Sequence, residues 1–284
     1  MITSVLTIKL KPQQPLFLIP IGDIHFHSRE CDEDRLFALI NWAVLQKKNG
    51  AMVRFIGLGD YLEMPSPSER AALIGAKGGY GLHETTLDKL DEMYEGLTTD
   101  FIKVMRPVKD DVIGLLSGHH YVNFAGIRDD LRGLNTDELI CQKLGCLYLG
   151  TIAQIKFKFP QANESVDIWA HHGFGSARTK GAKLSKRLRV LEGFKANIVL
   201  MGHDNAKFTD ESQQIVLRDD GTVRYEKVYL IGTGSFQKAY AIGRARGGYA
   251  EEMAFNPNGL GVTMVRFELL KHGGGYKIDY HVSV

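Results

Sequence analysis

The chain is poor in cysteine and carries no one-sided charge, and each shortage excludes something. Only Cys31, Cys141 and Cys146 occur among 284 residues. The number is odd and no C-x-x-C pair exists, which argues against a disulfide framework and makes a reducing, cytoplasmic compartment the default. Each cysteine reads as a small buried apolar residue rather than a reactive thiol. Lys and Arg total 35 against 33 Asp and Glu, a formal charge of +2. A balance this even does not by itself point to nucleic acid or to a polybasic membrane contact. No apolar run reaches the ~18–20 residues of a membrane helix. The opening MITSVLTIKLKPQQP has no basic n-region, and Lys9 and Lys11 interrupt its apolar stretch, so no secretory signal is expected. Internal repeats and low-complexity tracts are absent. What remains is ordinary globular composition, 44% hydrophobic and 24% charged, in a chain long enough to bury a sizeable core. One domain over 1–284 is the simplest reading.

Apolar periodicity predicts alternating strands and helices. Strands are expected at 2–9, 16–21, 52–58, 112–116, 152–158, 166–170 and 197–201. Helices are expected from about Asp32 to Gly50, over 85–105, 136–143 and 181–192. On the last of these, Leu184, Leu188 and Leu191 are expected to form the packed side. From Gln213 onward the chain reads as β-rich, with strands near 214–218, 223–231, 261–269 and 276–283. Residues 64–83 hold two prolines, four glycines and two serines. They read as a long loop or small insertion.

Five of the apolar runs stop at polar clusters of one kind. They end at Asp23-Ile24-His25, Asp60, His119-His120, His171-His172 and His203. With His27, two residues beyond the first, seven of the ten histidines sit at these ends. Open α/β sheets place ligand sites outside the carboxyl ends of their strands, so five strands could deliver these groups to one edge. Carboxylate and imidazole without thiolate suit Mn²⁺, Fe or Zn²⁺. The number of groups exceeds what one ion needs, which suggests a pair bridged by a carboxylate, able to clamp a phosphoryl group.

In order, the blocks read Gly22-Asp23-Ile24-His25, Gly59-Asp60-Tyr61-Leu62-Glu63, Gly118-His119-His120, His172-Gly173 and Gly202-His203-Asp204-Asn205. This series resembles that of the calcineurin-like metallophosphoesterases over about residues 17–207. The resemblance implies an α/β fold, a four-layer α/β/β/α sandwich of two mixed β-sheets flanked by helices. It implies two divalent ions, Mn²⁺ first, with Fe, Zn²⁺ and Ni²⁺ as alternatives, and a metal-bridging hydroxide as nucleophile. Asp23 and His25 would hold the first ion, with Asn205 completing it. Asp60 would bridge. His119, His172 and His203 would hold the second, and His120 would be the general acid. The chain departs from the family pattern at His119, where the family has Asn, and at Asn205, where it has His. Glu63 in place of Asp or Asn is a smaller change.

The blocks look closer to the diesterase and nuclease branch than to the phosphoprotein phosphatases, which have Asp-Arg-Gly in the second block. The implied substrate is a phosphodiester, with DNA or RNA first and a cyclic nucleotide or other small phosphodiester as the alternative. Lys180, Lys183, Lys186, Arg187 and Arg189 form a basic run that reads either as a solvated helix face or as a backbone-binding strip. Lys183 and Arg187 are taken as its substrate-binding members, with Arg244 and Arg246 in a flexible Gly-rich loop. The family also includes members that serve as interaction scaffolds, so a catalytically weakened metal-binding scaffold is the reading from another class. His27 and His171 read as neighbours of ligands, His83 as an exposed loop residue, and His272 and His281 fall outside the pattern.

Overall fold

The computed structural model describes residues 1–70, 82–125, 128–217, 221–240, 243 and 248–284. Thirteen strands among these residues form two mixed sheets. The first sheet has the order β1-β6-β7-β8-β10-β11, with β9 paired to β10. Its members are β1 (Ile2–Thr7), β6 (Ile152–Phe159), β7 (Glu164–His171), β8 (Ile198–Met201), β9 (Lys207–Leu217), β10 (Val223–Ser235) and β11 (Gly261–Val262). The second has the order β13-β12-β2-β3-β4-β5. It consists of β2 (Leu16–Ile21), β3 (Met52–Gly57), β4 (Val112–Leu116), β5 (Leu147–Gly150), β12 (Met264–His272) and β13 (Gly275–Ser283). Within it β2, β3, β4 and β5 run parallel, and β12 and β13 antiparallel.

Burial separates four layers. Leu18, Ile56 and Phe267 of the second sheet meet Ile155, Phe157, Ile168 and Ile231 of the first in the central core. On the outer face of the second sheet pack α1 (Glu33–Lys48), α2 (Glu84–Met105) and α3 (Thr136–Leu144), through Leu36, Ile40, Phe101 and Ile140. On the outer face of the first lies α4 (Lys180–Gly193), whose Val190 meets Trp169, Val199 and Leu230. A short helix, α5 (Tyr249–Glu252), precedes β11. The two sheets flanked by helices are the expected fold class.

Local chemistry sets the helix ends. Asp32 caps α1 by accepting from the Arg35 amide, the usual use of Asp at that position. Asn135 and Glu138 form a reciprocal capping box at the start of α3, and Gly145 closes it with φ 73°. His83 caps α2 through Nδ1 and is exposed.

Some expectations shift. β9 starts at Lys207 rather than 214, because its polar first half is held by antiparallel pairing along the whole of β10. β5 was not expected; four residues give too short an alternating pattern. Helix α4 packs through Leu184 and Leu191 as expected, but not through Leu188. Leu188 is 45% exposed, whereas Arg187 is fully buried. Residues 67–70 begin a helical turn in the expected 64–83 insertion, and 71–81 lie outside the described residues. Cys31 and Cys141 are buried and Cys146 half-buried, all free thiols. Among the described residues no helix is long and apolar enough to cross a membrane.

Candidate metal centre

The parallel neighbours β2, β3 and β4 end at Ile21, Gly57 and Leu116. The loops that follow carry Asp23 and His25, Asp60, and His119 with His120. In the other sheet the parallel neighbours β7 and β8 end at His171 and Met201, just before His172 and His203. The carboxyl edges of both sheets therefore meet at one place. Backbone hydrogen bonds tie the loops together. The amides of Ile24 and His25 donate to the Asp60 carbonyl at 2.8 and 3.0 Å, and the Phe236 amide to the Asp23 carbonyl at 3.0 Å. Asp23 Oδ2 accepts the His203 amide at 2.7 Å, which joins the two sheets. Asp60 Oδ1 accepts the amides of His119 and His120 at 2.5 and 2.8 Å.

This convergence demands glycine and strained backbone. A Cβ on Gly118 would stand 2.1 Å from the Asp60 amide nitrogen and 2.2 Å from its Oδ1. Of nine non-glycine residues with positive φ among those described, five are Asp23, His25, Asp60, His203 and Asn205. Such strain persists only where the surroundings over-determine it, and it clusters at functional sites.

Four imidazoles are oriented from outside the cluster. His25 Nδ1 lies 2.9 Å from Glu63 Oε2, His120 Nδ1 2.7 Å from the Met64 carbonyl and His172 Nδ1 2.7 Å from the Leu58 carbonyl. His203 Nε2 lies 2.8 Å from the Gly175 carbonyl. A carbonyl or carboxylate oxygen only accepts, so each of these ring nitrogens donates its N–H. The hydrogen-bond network thus assigns the neutral tautomers, and the second nitrogen of each ring keeps a lone pair. Two of those lone pairs face the Asp60 carboxylate, and that of His203 accepts from His119 Nδ1. His172 Nε2 is 3.2 Å from Asp60 Oδ2, and His25 Nε2 is 3.6 Å from the same oxygen. His203 Nδ1 is 3.2 Å from His119 Nδ1. Among the described residues, His172 Nε2 and Asn205 Oδ1 are buried without a hydrogen-bond partner.

Lone pairs converging on carboxylates need a cation between them. A proton can fill that place too, and burial and charge set how tightly it is held. Burial opposes a charged His172, but Asp60 and Asp23 outweigh it and push the imidazole up to about 9. Burial would likewise raise Asp60, yet the facing His172 holds its carboxyl well below the usual range. Asp23 is pushed up to about 6, by burial first, against the pull of His172. His119 falls to about 4 through burial and the charges of His172 and His203. The donor set fits divalent cations: ligating imidazoles held by outer acceptors, carboxylates, and an orphaned amide oxygen.

Three groups of donors each have ligand atoms within 4.8 Å of one another: His119, His172 and His203; His25, Asp60 and His120; and Asp23, Asp60 and His172. Asp60 belongs to two of them. Asn205 follows His203 by two residues, and its Oδ1 is the further oxygen expected at this site. His120 lies among donors as well as in the expected acid position, its ring 4.6 Å from that of His25. His171 stays outside; it accepts from the Gly173 amide at 2.7 Å and stacks on Trp169.

The substrate strip needs correction at Arg187, which is buried, not solvent-facing. Its Nη1 donates to Asp204 Oδ2 at 3.1 Å and to the Lys183 carbonyl at 2.7 Å. Nη2 donates to the Met201 carbonyl at 2.6 Å and Nε to the Ile231 carbonyl at 2.9 Å. Lys186 Nζ reaches Asp204 Oδ1 at 2.8 Å, and Lys183 Nζ the Asp204 carbonyl at 2.8 Å. These basic residues clamp the loop that presents His203. Arg244 and Arg246 lie outside the described residues.

Sequence reasoning missed the supporting residues. Asp204 stood inside the fifth block, a charge beside a ligand, and was the available signal. Glu63 reads in the sequence only as a departure from the family pattern, and its task of holding His25 shows only in space. Asp137 is buried behind the third block and accepts the Gly118 amide at 3.3 Å.

No family model matches the chain, and no curated protein does. Among solved structures it is similar to a double mutant of Vps29 from Entamoeba histolytica, at 13% identity and a TM-score of 0.38, over 95% of this chain and 100% of that one. It is similar to Vps29 from Chaetomium thermophilum at 12% identity and a TM-score of 0.35, over 95% and 97%. A metallophosphoesterase from Sphaerobacter thermophilus is similar at 12% identity and a TM-score of 0.34, over 90% and 83%.

Proposed function

We propose that the protein is a metal-dependent phosphodiester hydrolase with a dinuclear centre, formed by a single domain over 1–284. The observation that carries this reading is the set of four imidazoles, each oriented by an outer acceptor, which fall into overlapping donor groups: His25, His120 and His172 with Asp60, and His172 and His203 with His119. Two divalent ions, Mn²⁺ first, would supply Lewis-acid charge to a phosphoryl group and lower the pKa of a bound water toward neutrality.

This chain's own residues do the rest. Asp23, His25 and Asn205 would hold one ion and His119, His172 and His203 the other, with Asp60 available to both. Glu63 and the carbonyls of Leu58 and Gly175 fix the imidazole rings, so no reorientation is needed when substrate arrives. His120, its ring held through Nδ1 by the Met64 carbonyl, would act as general acid once Nε2 has taken up a proton, which it then passes to the leaving oxygen. General acids of this kind contribute typically ~10²–10⁴ in rate. The burial of Arg187 leaves less of a basic strip, which supports a small phosphodiester over polymeric DNA or RNA. The orphaned Asn205 Oδ1, a weaker donor than imidazole, favours the second reading, a catalytically weakened metal-binding scaffold.

Hydrolysis of bis(4-nitrophenyl) phosphate and of 4-nitrophenyl phosphate, with Mn²⁺ and with chelator, tests the proposal. Mn²⁺-dependent cleavage that favours the diester is expected. Two bound ions without turnover of either ester would leave the scaffold.

A further inference from the structure

A cavity of about 230 Å³ opens between the start of α2 and the segment after His120. Leu87, Leu90, Tyr94, Val122 and Phe124 make its walls apolar and aromatic. At ~30 Å³ per water it would hold about eight waters, or one bicyclic aromatic ring system.

Two observations connect it to the candidate metal centre. Val122 follows His120 by two residues, so their Cα atoms are at most ~7 Å apart. Arg70, which also lines the cavity, donates from Nη1 to the carbonyls of His119 and Tyr121 at 2.5 and 2.9 Å. The cavity wall and the loop bearing His120 are thus one hydrogen-bonded unit.

A third observation gives the cavity its chemistry. Asp91 is 2% exposed and lines it. Among the described residues both of its carboxylate oxygens share one donor, the Ala125 amide at 3.0 Å. An ionised carboxylate has about four acceptor sites. Asp91 therefore retains acceptor capacity in an apolar, aromatic pocket, and what complements it is a planar group with N–H donors. Nucleobases combine a stacking face with such an edge, and guanine presents a ring N–H beside an exocyclic amine. Bases stack on aromatic side chains whatever their identity, so Tyr94 and Phe124 supply affinity and Asp91 supplies selection.

We propose that this cavity is a nucleobase subsite, which receives the base of a nucleotide phosphodiester whose phosphoryl group lies at the His and Asp cluster. The inference rests on the phosphodiesterase reading and names the substrate class of that same site.

The experiment compares kcat/KM of the Mn²⁺-loaded protein for guanosine 5′-(4-nitrophenyl) phosphate and for methyl 4-nitrophenyl phosphate. The wild type is expected to prefer the nucleotide ester at least ten-fold. Leu90→Trp, which fills the cavity, and Asp91→Asn, which keeps an acceptor for the Ala125 amide but loses the carboxylate, are each expected to bring that ratio toward one. Circular dichroism checks that both variants fold. Equal rates on the two esters in the wild type, or an unchanged ratio in both folded variants, would overturn the subsite. If neither ester is cleaved, the phosphodiesterase reading fails, and calorimetric titration with guanosine 5′-monophosphate decides the subsite separately. Binding that Leu90→Trp or Asp91→Asn weakens at least ten-fold supports it, and no binding to the wild type overturns it.

Discussion

Replacing Arg187 with Met should destabilise the protein severely. Arg187 is fully buried and donates to four acceptors: Asp204 Oδ2 and the carbonyls of Lys183, Met201 and Ile231. Methionine fills a similar volume but donates nothing. Removing one partner of a buried ion pair costs about 3–5 kcal/mol, because the other charge stays behind in a low-dielectric place. Lys186 still holds Asp204 Oδ1 at 2.8 Å, which offsets part of that loss. The unpaired carbonyls add to it, at about 1–3 kcal/mol for each that water cannot reach. The expected net is about 4 kcal/mol, which lowers Tm by roughly 10 °C in a domain of this size. Denaturant unfolding of Arg187→Met, Asp204→Asn and the double variant measures the pairing itself. A coupling of about 2 kcal/mol or more is expected. A solvated helix face would instead give a change within about 0.5 kcal/mol and no coupling, and that result would refute the clamp.

Asp60→Asn should lose metal and turnover together, read by metal analysis and diester hydrolysis, because Asp60 stands in two of the three donor groups. His120→Ala should keep its metal content while kcat falls by about 10²-fold or more; loss of one ion would move His120 from acid to ligand. Asp137 is pushed up to about 7, first by burial, against 3.8 for an ordinary Asp. A folded value above the unfolded one means stability that is full below about pH 4 and is lost as pH rises through 7. At ~1.4 kcal/mol per pH unit this is about 4 kcal/mol. The chelated Asp137→Asn protein, whose amide can still accept from Gly118, should therefore lose less Tm than the wild type between pH 4 and 8; parallel profiles would sink the assignment. Gly118→Ala forces a Cβ against Asp60, so it should weaken metal binding more than it lowers Tm, with isothermal titration and calorimetry as the paired readouts.

Asp23, His25, Asp60, His119, His172 and His203 were legible as a set because their signal is local. An apolar run that stops at Gly-Asp or at paired histidines marks the carboxyl end of a buried strand, and parallel strands bring such ends to one edge. The amino-acid sequence by itself determined that edge and the donor types at it, while the two-sheet class was implied only by the resemblance that the five blocks carry.

What it did not determine was everything that rests on partners distant in the chain. Which nitrogen of His172 holds its proton depends on the Leu58 carbonyl, 114 residues away. Glu63 supports His25 across 38 residues. Adjacent helix positions differ by ~100° in direction, so the outward leucine and the inward arginine at 188 and 187 are one residue of phase apart. The choice was made by the carbonyls of Met201 and Ile231 and the carboxylate of Asp204, all of which need a donor where α4 crosses the sheet. A helical pattern counts apolar residues. It does not see acceptors that only the packed strands place beneath it, and so the tertiary structure alone decided that Arg187 faces inward.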